Sequence, residues 1–235
     1  MTSTPALQTI SAQLSQLKVE LRQLYVQWCV SGPTLESSSA LAAMAQEESG
    51  HARIFGRLAA GATGATQAKM LPPMEQITSW PELVGTAGPL EIMLAALIGE
   101  LKDAGGPGFG RNLGKIAVEE RHHAQFFLGW FQELGANHGA AGDSFSAVRE
   151  ETEARIAGWL AALAPLLAET GIAIEDTWST ARAAPDETGD VVCVHCGSHA
   201  STRIAAFGAS LMTELRKCDA CGANFESVRW KSATA

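Results

Sequence analysis

Leu7, Ile10, Leu14, Leu17, Leu21, Leu24 and Trp28 recur at intervals of three and four residues, the seam of a helix that packs in a bundle. The spacing predicts a first helix over residues 5–30, ended by Gly32-Pro33. Thr34 is placed to cap a second helix running to about Leu58. Its stripe is Leu41, Met44, Ala45, Glu48, Ala52 and Phe55. Residues 61–89 are rich in Gly, Thr and Pro and read as the long connection of a bundle with a crossover. A third helix is expected from Pro89, near its start, to Ala104, with Glu91, Leu94, Ala95 and Ile98 on one face. Gly105-Gly106-Pro107-Gly108 breaks the chain. A fourth helix over 109–135 carries Leu113, Ile116, Ala117, Glu120, His123, Ala124, Phe127 and Phe131 on its stripe, with Gly135 as its C-cap. A fifth is expected over 144–169, a short further helix over 172–183, and a linker around Pro185 and Gly189.

Two of these stripes contain Glu-x-x-His: Glu48 with His51, and Glu120 with His123. Residues i and i+3 share a helix face, so each motif aims a carboxylate and an imidazole at one point. Glu48 lies on an apolar stripe, where a charge must be paired or metal-bound. Two Glu-x-x-His motifs, with one Glu from each of two further helices, form the ligand set of a di-iron or di-manganese carboxylate site. Glu47 and Arg53 read as solvated neighbours, and His122 as a surface residue.

The chain has 235 residues, 46% hydrophobic and 18% charged, enough for one large domain or a medium and a small one. The net charge of −8 lacks the basic footprint that nucleic acid requires. Charges, Gly and Pro interrupt every apolar run before it reaches membrane-spanning length, and residues 1–16 lack the features of a signal peptide. A cytoplasmic protein is expected. Four of the five cysteines form two Cys-x-x-Cys knuckles, Cys193/Cys196 and Cys218/Cys221, each followed by Gly. Two thiolates on a tight turn supply two corners of a tetrahedron, and two knuckles supply all four. The segment reads as a small β-rich ribbon with one structural Zn²⁺, although iron also accepts four thiolates. His195 and His199 are expected to be exposed. The expected domains are a helical bundle over 1–183, a linker over 184–190 and the ribbon over 191–235.

Trp28-Cys29-x-x-Gly32-Pro33-Thr34-Leu35-Glu36, then Met44 to Arg53, Trp80-Pro81-Glu82-Leu83-Val84, and Val118 to His123 together resemble the phenylacetic acid catabolic proteins. That family includes the catalytic and structural subunits of the bacterial phenylacetyl-CoA epoxidase. The resemblance covers roughly residues 15–170. The C-terminal segment resembles the small accessory subunit of the same pathway, through Cys196-Gly197-Ser198, Phe207-Gly208, Cys218, Cys221 and Phe225. The resemblance implies a ferritin-like all-α bundle with additional helices, fused to a zinc ribbon. It also implies two Fe (or Mn) ions, O₂ activation on an aromatic or acyl-CoA-type substrate, and a separate electron-donating reductase. A homodimer or a heteromer with related subunits is expected, without nucleic acid or membrane.

Carried over by position, Glu48, His51, Glu120 and His123 match the two Glu-x-x-His pairs, and Glu91 matches the carboxylate of the third helix. The first helix departs from the pattern. Where the catalytic subunit has a Glu ten residues before the Trp, this chain has Lys18. Either the helix shifts register so that Glu20 binds, or Lys18 places an ammonium among the carboxylates.

Three functions follow. The first is a di-iron oxygenase of the epoxidase type, a monooxygenase. The second is a rubrerythrin-like peroxidase, which shares the order of bundle and Cys₄ domain. The third is a non-catalytic scaffold subunit of an oxygenase complex. Phe126, Phe127, Trp130, Phe131 and Trp159 read as core, and Cys29 as an inert thiol. The glycines of 105–110 read as a turn rather than a site for the phosphates of CoA.

Overall fold

The structure is a computed structural model that describes residues 4–62, 69–135, 139–172, 191–205 and 213–228. Five helices precede a three-stranded antiparallel sheet. The helices are α1 (Pro5–Trp28), α2 (Leu35–Leu58), α3 (Trp80–Ala104), α4 (Gly106–Gly135) and α5 (Ala140–Thr170). The expected helix over 172–183, the linker 184–190, and Phe207-Gly208 lie almost wholly outside the described residues.

Helix starts follow local chemistry. Thr4 accepts a hydrogen bond from the Leu7 amide (3.3 Å) ahead of α1, and Thr34 one from the Ser37 amide (3.1 Å) ahead of α2. Each occupies an otherwise orphaned amide of the first turn. α1 packs on α2 and α3 on α4, with α5 laid against α3. All seven apolar positions of the α1 seam are buried. Full burial of such a side chain stabilises by about 1.5–3 kcal/mol, so this seam alone fixes which face of α1 meets the bundle.

α3 differs from the sequence expectation. It begins at Trp80, not at Pro89, and Pro89 lies inside it. Its start is a capping box: Ser79 Oγ accepts from the Glu82 amide (3.4 Å), and Glu82 Oε2 accepts from the Ser79 amide (3.0 Å). Pro81 lies in the first turn, where a missing N–H costs nothing. The Gly-rich and Thr-rich composition up to residue 89 concealed this helix, because Gly85 and Gly88 are packing positions. A Cβ on Gly85 would come within 2.9 Å of the Phe145 carbonyl on α5, and one on Gly88 would strike the Phe131 ring of α4. Small residues let α3 sit between two helices, and it is buried on nearly every side from Leu83 to Leu94. α3 is the one described helix long and apolar enough to cross a membrane, and 78% of its apolar window is buried inside the protein. α4 starts earlier than expected, at Gly106, after a turn at Gly105.

The C-terminal unit has strands β1 (Ser201–Ala205), β2 (Thr213–Cys218) and β3 (Asn224–Val228), in the order β1-β2-β3. Ser201 pairs with Cys218, and Arg216 with Phe225. Among the described residues its buried apolar cluster is Cys193, Cys218 and Phe225, with Val191 against it. A unit of this size has little room for a core that could by itself offset the entropy of ordering the chain.

Candidate metal centres

In the ribbon, each knuckle is a tight turn closed by backbone hydrogen bonds. The Gly197 amide donates to the Cys193 carbonyl and the Gly222 amide to the Cys218 carbonyl, both at 2.9 Å. Gly197 and Gly222 take φ of +73° and +74°, which a residue with a Cβ adopts only under strain. The four sulfurs lie within 4.8 Å of one another. Cys193 Sγ is 3.8 Å from Cys221 Sγ, and Cys196 Sγ is 3.6 Å from Cys218 Sγ. A tetrahedron with Zn–S bonds of about 2.3 Å has edges of about 3.8 Å, so the sulfurs stand where a structural Zn²⁺ would hold them. His195 and His199 are exposed, as expected.

In the bundle, α2, α3 and α4 bring Glu48, Glu91, Glu120 and His123 together, with one ligand atom from each within 4.8 Å of the others. His51 borders the group, its Nδ1 2.8 Å from Glu120 Oε1. All five are buried, and the four clustered residues are 0% exposed. Donor types and burial are compatible with a di-iron site.

The imidazoles are held by carboxylates that the sequence reading did not assign. His51 Nε2 lies 3.0 Å from Glu119 Oε2, and His123 Nε2 lies 2.7 Å from Glu47 Oε2. The bracing is crossed: the residue before Glu48 holds the histidine of α4, and the residue before Glu120 holds the histidine of α2. Ionised carboxylates only accept, so each Nε2 carries a proton, and each Nδ1 turns toward the centre. Glu119 is in turn paired with Lys115. The duplicated signal was present in the sequence, since both motifs read Glu-Glu-x-x-His. Glu47 is therefore not a solvated neighbour, because its partner lies on another helix. His122 is half-buried, and burial beside His123 pushes its pKa down to about 4.

The fourth helix of the set, α1, sends in Lys18. Its side chain is fully buried, with Nζ 2.6 Å from Glu120 Oε2, 2.9 Å from Glu48 Oε1 and 3.9 Å from Glu91 Oε2. Burial opposes its charge, but the three carboxylates outweigh burial and raise its pKa. Burial likewise opposes ionisation of Glu120, yet Lys18 and His51 hold its pKa far below the usual carboxylate range. Glu20 does not join the group. It is half-buried near Gln16 and Lys69, as expected for a residue about 200° around the helix from Lys18. The Tyr25 hydroxyl donates to Glu91 Oε1 from the next layer of the bundle.

Five buried atoms at this centre make no aligned hydrogen bond and instead face one another: Glu48 Oε2, Glu91 Oε2, Glu120 Oε1, His51 Nδ1 and His123 Nδ1, with His51 Nδ1 2.8 Å from Glu120 Oε1 and His123 Nδ1 3.5 Å from Glu91 Oε2. Buried polar atoms are rarely left so. These are the atoms a bound cation would use, and they show that the residues fit a metal. For two ions to share the site, the Lys18 ammonium would have to leave its place between Glu48 and Glu120.

Beyond the centre, Phe126 and Phe127 are fully buried, and Trp130 and Phe131 half-buried. Trp80 stacks edge-on between Trp28 and Trp130, with ring centroids 6.4 and 5.0 Å away.

Residues 179–229 match the family described as the PaaD zinc beta ribbon domain. The match contains all four knuckle cysteines and supports the likeness of this segment to the ribbon of the phenylacetic acid pathway. No curated protein matches the chain.

Proposed function

We propose that this chain is a subunit of an oxygenase system for aromatic or acyl-CoA-type substrates, in which it serves as a partner bundle rather than as the O₂-activating centre. One observation carries this reading: Lys18 Nζ, fully buried, sits 2.6 and 2.9 Å from the carboxylates of Glu120 and Glu48, on the helix that should supply the fourth carboxylate. An ammonium there repels a second cation, and the bridging chemistry of a metal pair needs both. The PaaD-type ribbon supports a place in the same kind of system. The partners follow from this role: a related catalytic bundle, a reductase as electron donor, O₂ and a small-molecule substrate such as a CoA thioester. The ribbon match favours a PaaD-type ribbon over the compact Cys₄ iron domain that a rubrerythrin-like peroxidase would carry.

A di-iron monooxygenase is the second reading. It is favoured by the five converging buried donor atoms and by the crossed bracing of His51 and His123. Bound iron would supply O₂ activation. The chain's own residues would set its surroundings: Glu47 and Glu119 fix the two imidazole planes, and Tyr25 restrains Glu91.

The test is anaerobic loading of the full chain with Fe²⁺, followed by exposure to O₂ with a chemical reductant. The partner role predicts no magnetically coupled iron pair by Mössbauer spectroscopy and no O₂ uptake above that of free iron. A coupled pair with stoichiometric O₂ uptake would establish the monooxygenase instead.

A further inference from the structure

The bundle centre carries an internal imbalance. Glu48, Glu91 and Glu120 bring three carboxylates into a space with 0% exposure, and Lys18 returns one positive charge. Around them, Glu119 is answered by Lys115, and Glu47 is partly open to solvent. Without a metal, imidazolium forms of His51 and His123 answer this charge, their Nδ1 atoms 2.8 Å from Glu120 Oε1 and 3.2 Å from Glu48 Oε1. With both imidazoles neutral, as ligands must be, the three carboxylates and one ammonium leave two negative charges at the centre. One divalent cation would cancel them, whereas two would leave an excess of positive charge in a dry core, which is costly.

The donor atoms divide in the same way. Lys18 engages Glu48 Oε1 and Glu120 Oε2, one oxygen from each carboxylate. The second oxygen of each, Glu91 Oε2 and the Nδ1 atoms of His51 and His123 make no aligned hydrogen bond and are left facing one another. All five belong to fully or nearly fully buried side chains.

We propose that the bundle binds one divalent transition cation beside the Lys18 ammonium, which stands permanently in the second metal position. The inference rests on Lys18 staying in place, as the partner role does, but it adds a metal that the partner role does not require. Mixed carboxylate and imidazole donors select Mn²⁺, Fe²⁺, Co²⁺ or Zn²⁺ over Mg²⁺ and Ca²⁺. The ammonium acts as a fixed counter-ion: it sets the stoichiometry at one and keeps Glu48 and Glu120 from closing on a second ion.

The experiment is Co²⁺ titration of the full chain with zinc already in the ribbon, read by elemental analysis and by cobalt absorption. Weak ligand-field bands mark carboxylate and imidazole ligation, while strong near-ultraviolet bands mark thiolates and would report exchange into the ribbon. Wild type is expected to take one Co²⁺ per chain in the bundle, and Lys18→Glu two. Lys18→Gln, which removes the charge at nearly the same reach, guards against a Lys18→Glu variant that fails to fold. It is expected to bind a second Co²⁺ at least tenfold more tightly than wild type does. Two Co²⁺ in the wild-type bundle would overturn both this inference and the partner role. None in wild type would overturn this inference alone and leave the partner role standing. One in wild type, with no second ion gained by either folded variant, would show that Lys18 does not set the stoichiometry.

Discussion

Four thiols in the ribbon and four Glu and His side chains in the bundle each converge within 4.8 Å, but the two groups meet their charge differently. The bundle's carboxylates receive an ammonium from the chain itself. The ribbon's sulfurs meet each other and backbone amides, such as the Cys221 N–H, 3.5 Å from Cys218 Sγ. Around the bundle site lies a large apolar core built by five helices, whereas the described residues of the ribbon form a buried apolar cluster of only Cys193, Cys218 and Phe225, with Val191 against them. One cluster is thus an addition to a fold that stands without it, and the other is the fold's own centre. Metal should therefore be optional for the first and obligatory for the second.

The largest effect expected from this contrast is loss of the ribbon on metal removal. Structural zinc in small domains binds with about 10–16 kcal/mol at neutral pH, far more than such a core can replace. A strong chelator, or Cys218→Ser, should make residues 191–228 susceptible to limited proteolysis while the helical circular dichroism of α1–α5 persists. A ribbon that stays protease-resistant without metal would erase the contrast.

The converse holds in the bundle, where the indispensable cation is Lys18. Removing one partner from a buried ion pair typically costs about 3–5 kcal/mol, because the other charge is left uncompensated. Lys18→Met, similar in length but neutral, should lower the bundle's thermal midpoint by roughly 10 °C in metal-free buffer. Mn²⁺ or Co²⁺ should recover much of that loss. An unchanged midpoint would mean that the three carboxylates are balanced without Lys18.

A smaller effect is expected at the braces. Residues that orient a ligating imidazole typically contribute about 10–100-fold in metal affinity. Glu47→Gln and Glu119→Gln keep an acceptor but lose the charge. Each should weaken Co²⁺ binding in the bundle by about that factor and leave the ribbon's zinc content unchanged. Because the bracing is crossed, Glu47→Gln should disturb His123 of α4, not His51 of its own helix, and histidine NMR resonances can tell the two apart.

The ease of reading followed locality. The cysteine knuckles and the Glu48–His51 and Glu120–His123 pairs are defined within one turn of chain, so spacing alone exposed them. The bracing roles of Glu47 and Glu119 are not legible in sequence, because their partners lie 76 and 68 residues away and helix periodicity describes only one helix at a time. The place of Lys18 was legible as a departure from an expected carboxylate, but its two short contacts depend on how α1 meets α2 and α4. The start of α3 differs from the expectation because Gly and Pro over residues 61–89 read as loop signals. In fact Gly85 and Gly88 serve close helix packing, and the capping residues Ser79 and Glu82 marked the true start.

That capping box gives the mildest probe of the contrast, because it starts α3, the helix that carries Glu91. The Thr78 amide, 2.7 Å from Glu82 Oε2, is the main reason that the Glu82 pKa lies below its ordinary value of 4.5; the Thr78 hydroxyl and the Ser79 amide assist. A carboxylate with a depressed pKa in the folded state adds stability above its unfolded pKa and loses it as pH falls through the folded value. Ser79→Ala should cost the bundle about 1 kcal/mol at neutral pH. Glu82→Gln should cost less, and its penalty should shrink as pH drops below about 4.5, where the wild-type carboxylate also becomes protonated. Urea denaturation followed by helical circular dichroism at pH 7 and at pH 3.5 measures both, with proteolysis of the ribbon as the internal reference. A Glu82→Gln penalty that stays constant across this range would show that the cap works through geometry alone, without its charge.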